Sequence, residues 1–449
     1  MNHIVIIGNG IAGITAARHI RKLSNHRITV ISGETPYFFS RPALMYAFMG
    51  HLKFEHTKPY EDWFWAKNRI ELVQDYALTI DTVLKHVYLQ SGNVVQYDIL
   101  ILATGSLPNK LGWIGQDLGG VQGLYSKQDL DLMTVNTRDI SRGVVVGGGL
   151  IGIEVAEMLH SRKIPVTMLV RETSYWNSVL PLEESLLINR HIRHQGIDLH
   201  LETELTEILP DVHNRVRAVR TNKGDEFTCE FVSLTAGVHP NIEITHKSGI
   251  ATERGILVNE YLETSTPNVY AIGDCAEIVS EDSTPKSRVE QLWYTGEMQG
   301  ETVARSICGE RTKYERGILF NSAKFFDIEY QTYGSVPARH ADEKSLYWEH
   351  PDRRRSIRIV YTSEQVIGFN LLGIRYRHEI CKQWIAEHRS IEYVLEHLDQ
   401  ANFDPEFFER FEQEMIVLFE KQTGKKIHLR KQRSFFGFKK FLGNVRASV

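Results

Sequence analysis

The sequence holds few cysteines, and none of the four stands near another. Cys229, Cys275, Cys308 and Cys381 form no C-x-x-C or C-x4-C pair, which excludes a zinc ribbon and a local redox disulfide by spacing. Each reads as a small buried apolar residue. The 19 histidines include no H-E-x-x-H pair or comparable cluster, so no metal site is expected. An excess of basic charge is also missing. With 52 Lys and Arg against 56 Asp and Glu the net charge is -4, which argues against nucleic acid as a partner. No apolar run approaches the ~18 residues that span a bilayer. The chain enters a strand-like run at residue 3, without the basic and apolar regions of a secretory signal. A cytoplasmic location is the expectation.

What is present is a repeated motif in a chain of ordinary globular composition, 42% hydrophobic over 449 residues, long enough for two or three domains. Ile4 to Ile7 form a continuous apolar run, the pattern of a parallel strand buried on both faces. It leads into Gly8-Asn9-Gly10-Ile11-Ala12-Gly13. Gly8 permits a tight turn, Gly10 lets backbone N–H groups approach a pyrophosphate, and Gly13 lets a helix pack close to the strand. A helix is expected over Thr15–Leu23, its N-terminus aimed at phosphate, then a strand over Ile28–Ile31. Glu34, 21 residues beyond Gly13, is placed to accept hydrogen bonds from ribose hydroxyls.

About 140 residues later the pattern returns. Val144 to Val146 lead into Gly147-Gly148-Gly149-Leu150-Ile151-Gly152, a helix through Leu159, a strand over Val166–Val170, and Glu172 with Arg171 just before it. Two complete dinucleotide sites imply two different dinucleotides, placed so that electrons move between them. The bland reading is a duplicated scaffold without a second ligand. Three more stretches, YDILILATGS (97–106), CEFVSLTAGVHPN (229–241) and TSTPNVYAIGDCAE (264–277), read as strands ending at the carboxyl edge of a sheet. Ligands of doubly wound folds sit at that edge.

On these five motifs the sequence resembles the two-dinucleotide-fold flavoprotein reductases of the pyridine nucleotide–disulfide oxidoreductase superfamily, over residues 1–400 or so. The resemblance implies an α/β fold with two Rossmann-like dinucleotide-binding domains, for FAD and NAD(P), and a C-terminal α+β interface domain. Residues 1–110 and 241–318 would form the FAD domain, 111–240 the NAD(P) domain, 319–400 the interface domain, and 401–449 a helical extension and basic tail. The first turn (Gly8, Gly10, Ile11, Ala12, Gly13, with Glu34) would hold FAD. The second (Gly147, Gly149, Ile151, Gly152, with Glu172) would hold NAD(P)H. Ala103-Thr104-Gly105 resembles the loop that closes over FAD, Gly237 lies in the matching junction of the second copy, and Gly273-Asp274 resembles the motif that binds the ribityl and phosphate region.

Residues 36–46, PYFFSRPALMY, occupy the stretch where disulfide reductases carry their catalytic cysteines, and contain none. The stretch is similar instead to the rubredoxin, ferredoxin and nitrite reductase branch, with Arg41 and Pro42 lying along the FAD. Trp293, in EQLWYTGEMQG, would stand beside the isoalloxazine, or else serve as a core aromatic on a helix. Many relatives pair a glutamate of the NAD-domain helix with a lysine near the flavin N5. Glu154 matches the glutamate, but Met45 and Tyr46 stand where the lysine would be. Glu154 then reads as a contact to the nicotinamide ribose or amide. Glu172 favours NADH by repelling a 2′-phosphate, while Arg171 beside it works the other way.

In the last third, FNSAKFFDIEYQTYGSV and SIRIVYTSEQVIGFNLLG read as two strand groups of an antiparallel sheet. In relatives such a domain builds a dimer interface, so monomer and homodimer both stay open. Asp404-Pro405-Glu406 reads as a helix start, continued by Phe408, Phe411, Met415 and Leu418 and ended by Gly424. Residues 425–449 carry eight Lys or Arg and no Asp or Glu, interleaved with Phe435, Phe436, Phe438 and Phe441. Three readings remain: a solvated tail, docking to an acidic redox partner, or peripheral adsorption to an anionic membrane. The expected function is an FAD-dependent NAD(P)H oxidoreductase that passes hydride to FAD and electrons on to an external iron–sulfur or other redox protein. A disulfide reductase is disfavoured by the missing cysteines. Two rival functions stay open: a membrane-associated NADH–quinone reductase, and a slow redox-sensing flavoprotein resembling apoptosis-inducing factors.

Overall fold

The computed structural model describes residues 1–280, 286–339, 343–403 and 409–430. They form two units, Met1–Ser178 with Ser185–Gly317, and Val179–Glu184 with the chain from Ile318 onward.

The first unit contains the same construction twice. One five-stranded parallel sheet runs in the order Val269–Ala271, Ile99–Leu102, His3–Ile7, Arg27–Ser32, Ile70–Gln74. Its central strand sets Ile4 against Ile28 on one side and Ile99 on the other. The second sheet runs Asp198–Leu201, Val166–Val170, Gly143–Val146, Phe231–Leu234, Val121–Gln122, with Val144 between Thr167 and Val232. Ile99–Leu102, Gly143–Val146 and Phe231–Leu234 are buried at every residue. That is why these strands read as unbroken apolar runs rather than alternating ones. The first sheet takes its edge strand, Val269–Ala271, from beyond the second copy, so the second fold is inserted into the first. The two crossings pair with each other: Ser106–Pro108 runs antiparallel to Val238–Pro240.

The first helix spans Ile11–Leu23, four residues longer at its start than expected. Glycine disfavours helix interiors, but Gly13 is kept there by packing: a Cβ on it would stand 2.1 Å from the Gly8 carbonyl oxygen. The helix over Trp293–Ile307 crosses this one on two small residues. A Cβ on Gly300 would lie 2.6 Å from the Ala12 carbonyl oxygen, and one on Gly296 would lie 3.3 Å from Ile11 Cγ2. Glycine at both positions brings the two backbones together.

In the second unit the two expected strand groups resolve into five antiparallel strands, ordered Phe320–Phe325, Ile328–Gly334, Val366–Leu372, Ser356–Tyr361, Lys344–Glu349. The strand Lys344–Glu349 was not anticipated, because charged residues crowd both of its flanks. Ile357, Ile359, Phe369 and Leu371 form a core with Cys381, Trp384, Met415 and Phe419. The last helix of the described residues covers Glu412–Thr423 and ends at Gly424, whose φ of 73° is the left-handed cap that glycine allows. Asp404-Pro405-Glu406 and Phe408 lie outside the described residues, as do residues 431–449. The start of the basic tail is not merely solvated. Ile427 is 7% exposed in the same core, Lys425 pairs with Glu392 at 2.6 Å, and Arg430 pairs with Glu396 at 3.0 Å.

This unit also buries an ion pair. Arg358, with its side chain 1% exposed, donates Nε to Glu184 Oε1 at 2.6 Å and Nη2 to Glu184 Oε2 at 2.7 Å. It also reaches Glu183 and Ser345 Oγ, each at 2.7 Å. Burial pushes the Glu184 carboxyl up, and Arg358 holds it against that push. Removing one partner strands a buried charge. Arg358→Ala should cost about 3–5 kcal/mol, whereas the paired change Arg358→Met with Glu184→Leu should recover most of it. Urea denaturation at pH 7 checks this, and equal losses in the two variants would contradict it.

Candidate functional site

At the carboxyl edge of the first sheet the chain leaves a cleft of about 930 Å³. Gly8, Gly10, Ile11 and Ala12 of the first turn line it, as do Glu34, Arg41 and Pro42. The loop Ala103-Thr104-Gly105 and the pair Gly273-Asp274 complete that side. From the helix of the second copy, Ile151 and Glu154 reach the same cleft, and Trp293 joins them. Gly13, Gly147, Gly149, Gly152, Glu172 and Gly237 do not line it.

The glycines of each turn divide into two kinds. Gly8 has φ +114°, and a Cβ there would stand 2.0 Å from the Ala103 carbonyl oxygen. Gly147 matches it, with φ +126° and 2.5 Å to the Thr235 carbonyl oxygen. The third glycines, Gly13 and Gly152, are closed in turn by the carbonyls of Gly8 and Gly147, at 2.1 and 2.6 Å. The middle glycines differ. Neither Gly10 nor Gly149 has a positive φ, and a Cβ on either would meet no protein atom within 4 Å. Folding therefore needs the outer glycines and leaves the middle ones free. An open face in front of bare N–H groups at a helix start is what a pyrophosphate requires, so the residues fit a dinucleotide in both copies.

An ion pair crosses the cleft wall. Arg41 donates Nη1 and Nη2 to the two Glu34 oxygens at 2.9 and 2.7 Å, and Nη1 also reaches the Tyr125 carbonyl at 2.6 Å. The Lys127 N–H reaches Glu34 at 2.9 Å. Burial opposes the charge on Arg41, but Glu34 outweighs it and holds the guanidinium protonated. Tyr125 stacks under that guanidinium at 4.5 Å and sets its hydroxyl 3.3 Å from Asp274 and 3.0 Å from the Ser106 N–H. Burial pushes the Asp274 carboxyl up, with Ser106 and Tyr125 opposing. Burial and then Asp274 push the Tyr125 phenol far up.

Tyr125, Ser106, Gln291 and Asn9 were not singled out by the sequence. Asn9 sits inside the glycine turn and donates to the carbonyls of Thr35 and Tyr37 at 2.9 and 3.1 Å, so its place in the motif was a usable signal. Gln291 donates to Ser106 Oγ at 2.9 Å. Tyr125 comes from a distant loop with no local pattern to mark it.

Among the described residues, no cysteine, lysine or histidine lines the cleft, and its one cation is the paired Arg41. Cys275, next to Asp274, is wholly buried with Sγ facing the carbonyls of Leu102 and Ile272 at 3.5 and 3.3 Å. Burial pushes its thiol up and pushes Cys229 up to about 12. Met45 lines the cleft. Trp293 is 37% exposed at the start of its helix, on the cleft wall rather than in the core. In the second turn, Tyr175 donates its hydroxyl to the Gly149 carbonyl at 2.6 Å, and Glu172 accepts from Arg171 Nε at 2.8 Å.

The family described as pyridine nucleotide-disulphide oxidoreductase matches residues 2–300. Nitrite reductase [NAD(P)H] of Bacillus subtilis is 28% identical over 82% of this chain and 45% of its own length. Rhodocoxin reductase of Rhodococcus erythropolis is 30% identical over 72% of this chain and 76% of its own. This chain thus spans about half the length of that nitrite reductase, and 47% of the assimilatory nitrate reductase electron transfer subunit of the same Bacillus. Among solved structures, a ferredoxin reductase of Rhodopseudomonas palustris superposes with a TM-score of 0.76 at 26% identity, covering 83% of this chain and 91% of that one. The chain belongs to the pyridine nucleotide-disulphide oxidoreductase family.

Proposed function

We propose that this chain takes electrons from NAD(P)H through FAD to an external acceptor, an iron–sulfur or other small redox protein. The observation that carries the reading is the composition of one cleft: it joins the first glycine turn to Ile151 and Glu154 of the second copy and, among the described residues, is lined by no cysteine. FAD, when bound, supplies hydride acceptance and the onward release of electrons. The chain supplies position. In this reading Gly10 brings N–H groups to the FAD pyrophosphate and Glu34 accepts from its ribose. Arg41, Pro42 and the Ala103–Gly105 loop hold its length, with Asp274 at the ribityl region. Gly147, Gly149 and Gly152 hold the nicotinamide dinucleotide, Gly237 borders it, and Glu154 and Trp293 flank the point where the two meet.

The names of relatives support the acceptor class: a ferredoxin–NAD(+) reductase subunit and a rubredoxin-NAD(+) reductase, both of Pseudomonas putida, are each 28% identical over 69% of this chain. NADH is favoured over NADPH because Glu172 faces a 2′-phosphate with like charge. No helix of the described residues is long and apolar enough to cross a membrane. We place the protein in the cytoplasm, as monomer or homodimer. Docking to an acidic partner or to a membrane surface is assigned to the far basic tail.

Two measurements test the reading. A Cβ on Gly10 meets no protein atom within 4 Å and the backbone there has no positive φ, so flavin-free Gly10→Val should melt where the flavin-free parent does while failing to acquire the flavin absorbance. Full flavin content in that variant would contradict the assignment. Replacing all four cysteines with alanine or serine, with FAD retained, should leave NADH-driven ferricyanide reduction within tenfold of the parent kcat/KM. A larger loss, above about 1.4 kcal/mol, would indicate a thiol relay. A preference for NADPH in the same assay would overturn the role given to Glu172.

A further inference from the structure

Helix Leu150–Ser161 carries the cleft residues Ile151 and Glu154 near its start. Steps of three and four residues place Met158 and Arg162 on the same stripe, and Met158 is wholly buried. The helix packs on the short helix Leu44–Phe48, whose Leu44 and Met45 also line the cleft. Five residues make barely one turn, too few to hold a helix unaided. The carbonyls of Met45, Tyr46 and Ala47 accept from the N–H groups of Met49, His51 and Gly50, and Arg162 takes the remaining one, that of Phe48. Its Nε and Nη2 donate to the Phe48 carbonyl at 3.2 and 2.7 Å, and its guanidinium lies 3.5 Å over the Phe48 ring. A cation at a helix C-terminus and over an aromatic face is favourable on both counts. Phe48 is itself buried, so the clasp grips a fixed point.

We propose that Arg162 is a positioning residue for reduction of the flavin. By clamping Phe48 it fixes the helix that carries Ile151 and Glu154 against the segment that carries Leu44 and Met45, and so sets the width of the cleft where nicotinamide meets flavin. Arg162 itself does not line the cleft and acts only through the two helices it joins. The inference rests on the reading of the cleft as the meeting point of FAD and NAD(P)H.

The test is Arg162→Ala in the flavin-loaded protein, with Arg162→Lys as the milder variant that keeps a cation and a donor. Hydrogen exchange should quicken at Met49, Gly50 and His51, whose N–H groups bond back to Met45, Ala47 and Tyr46. Anaerobic rapid mixing with saturating NADH should show flavin reduction slowed about tenfold, with the half-saturating NADH concentration and the flavin content near those of the parent. Arg162→Lys should fall between. Exchange that does not change would overturn the clasp. Faster exchange with a reduction rate within twofold of the parent, or a loss confined to NADH affinity, would overturn the positioning role. If the parent protein takes up no flavin, the reading of the cleft fails, while the exchange measurement still decides the clasp.

Discussion

At the first glycine of each turn, main chain touches main chain where a Cβ would not fit. The turn after the first strand passes so close to Ala103 that a side chain on Gly8 would enter the carbonyl oxygen, and the turn after Gly143–Val146 does the same at Thr235. Those contacts let each first helix start at the sheet edge with its N–H groups facing outward. They also fix the loop that follows the neighbouring strand, 103–105 in one copy and 235–237 in the other, against the site. Remove the contact and the helix start, the loop and the cleft all move. The middle glycines carry no such duty, and their open faces mark where a ligand takes over from the protein as the reason for glycine.

The cleft built on this frame is poor in reactive side chains. Its guanidinium is held by Glu34, the Tyr125 phenol by Asp274 and Ser106, and no thiol enters the wall among the described residues. A site so composed offers carboxylates but, among the described residues, no thiol, imidazole or amine. In the proposed reading its chemistry comes from the cofactors it orients, and the duplicated scaffold would hold two of them. Arg41 shows how tightly charge is managed here, since one guanidinium meets a bidentate carboxylate, a carbonyl and two aromatic rings.

Features set by short stretches of chain were legible in the sequence. The glycine spacing, the unbroken apolar strands and the stop at Gly424 each follow from local rules, and each stands where the sequence put it. The helix start at Ile11 was misjudged because the propensity of Gly13 counts against a helix, and only the contact with Gly8 overrides it. Strand Lys344–Glu349 was hidden by its charged flanks. Tyr125 enters the site across a long loop, and Arg358 meets Glu184 from 174 residues away; no local pattern announces either. Ile427 looked like part of a solvated basic tail because its burial depends on a core assembled elsewhere. Trp293 left two readings open, and it stands exposed on the cleft wall rather than in the core.

The central claim is that electrons cross between two dinucleotides in one cleft without a thiol. Anaerobic titration with NADH, followed by flavin absorbance and by free thiol count, counts the reducing equivalents taken up per chain. Two electrons per bound FAD are expected, with the thiol count unchanged from start to finish. Uptake of four electrons with the appearance of new thiols would reveal a redox-active disulfide and contradict the claim.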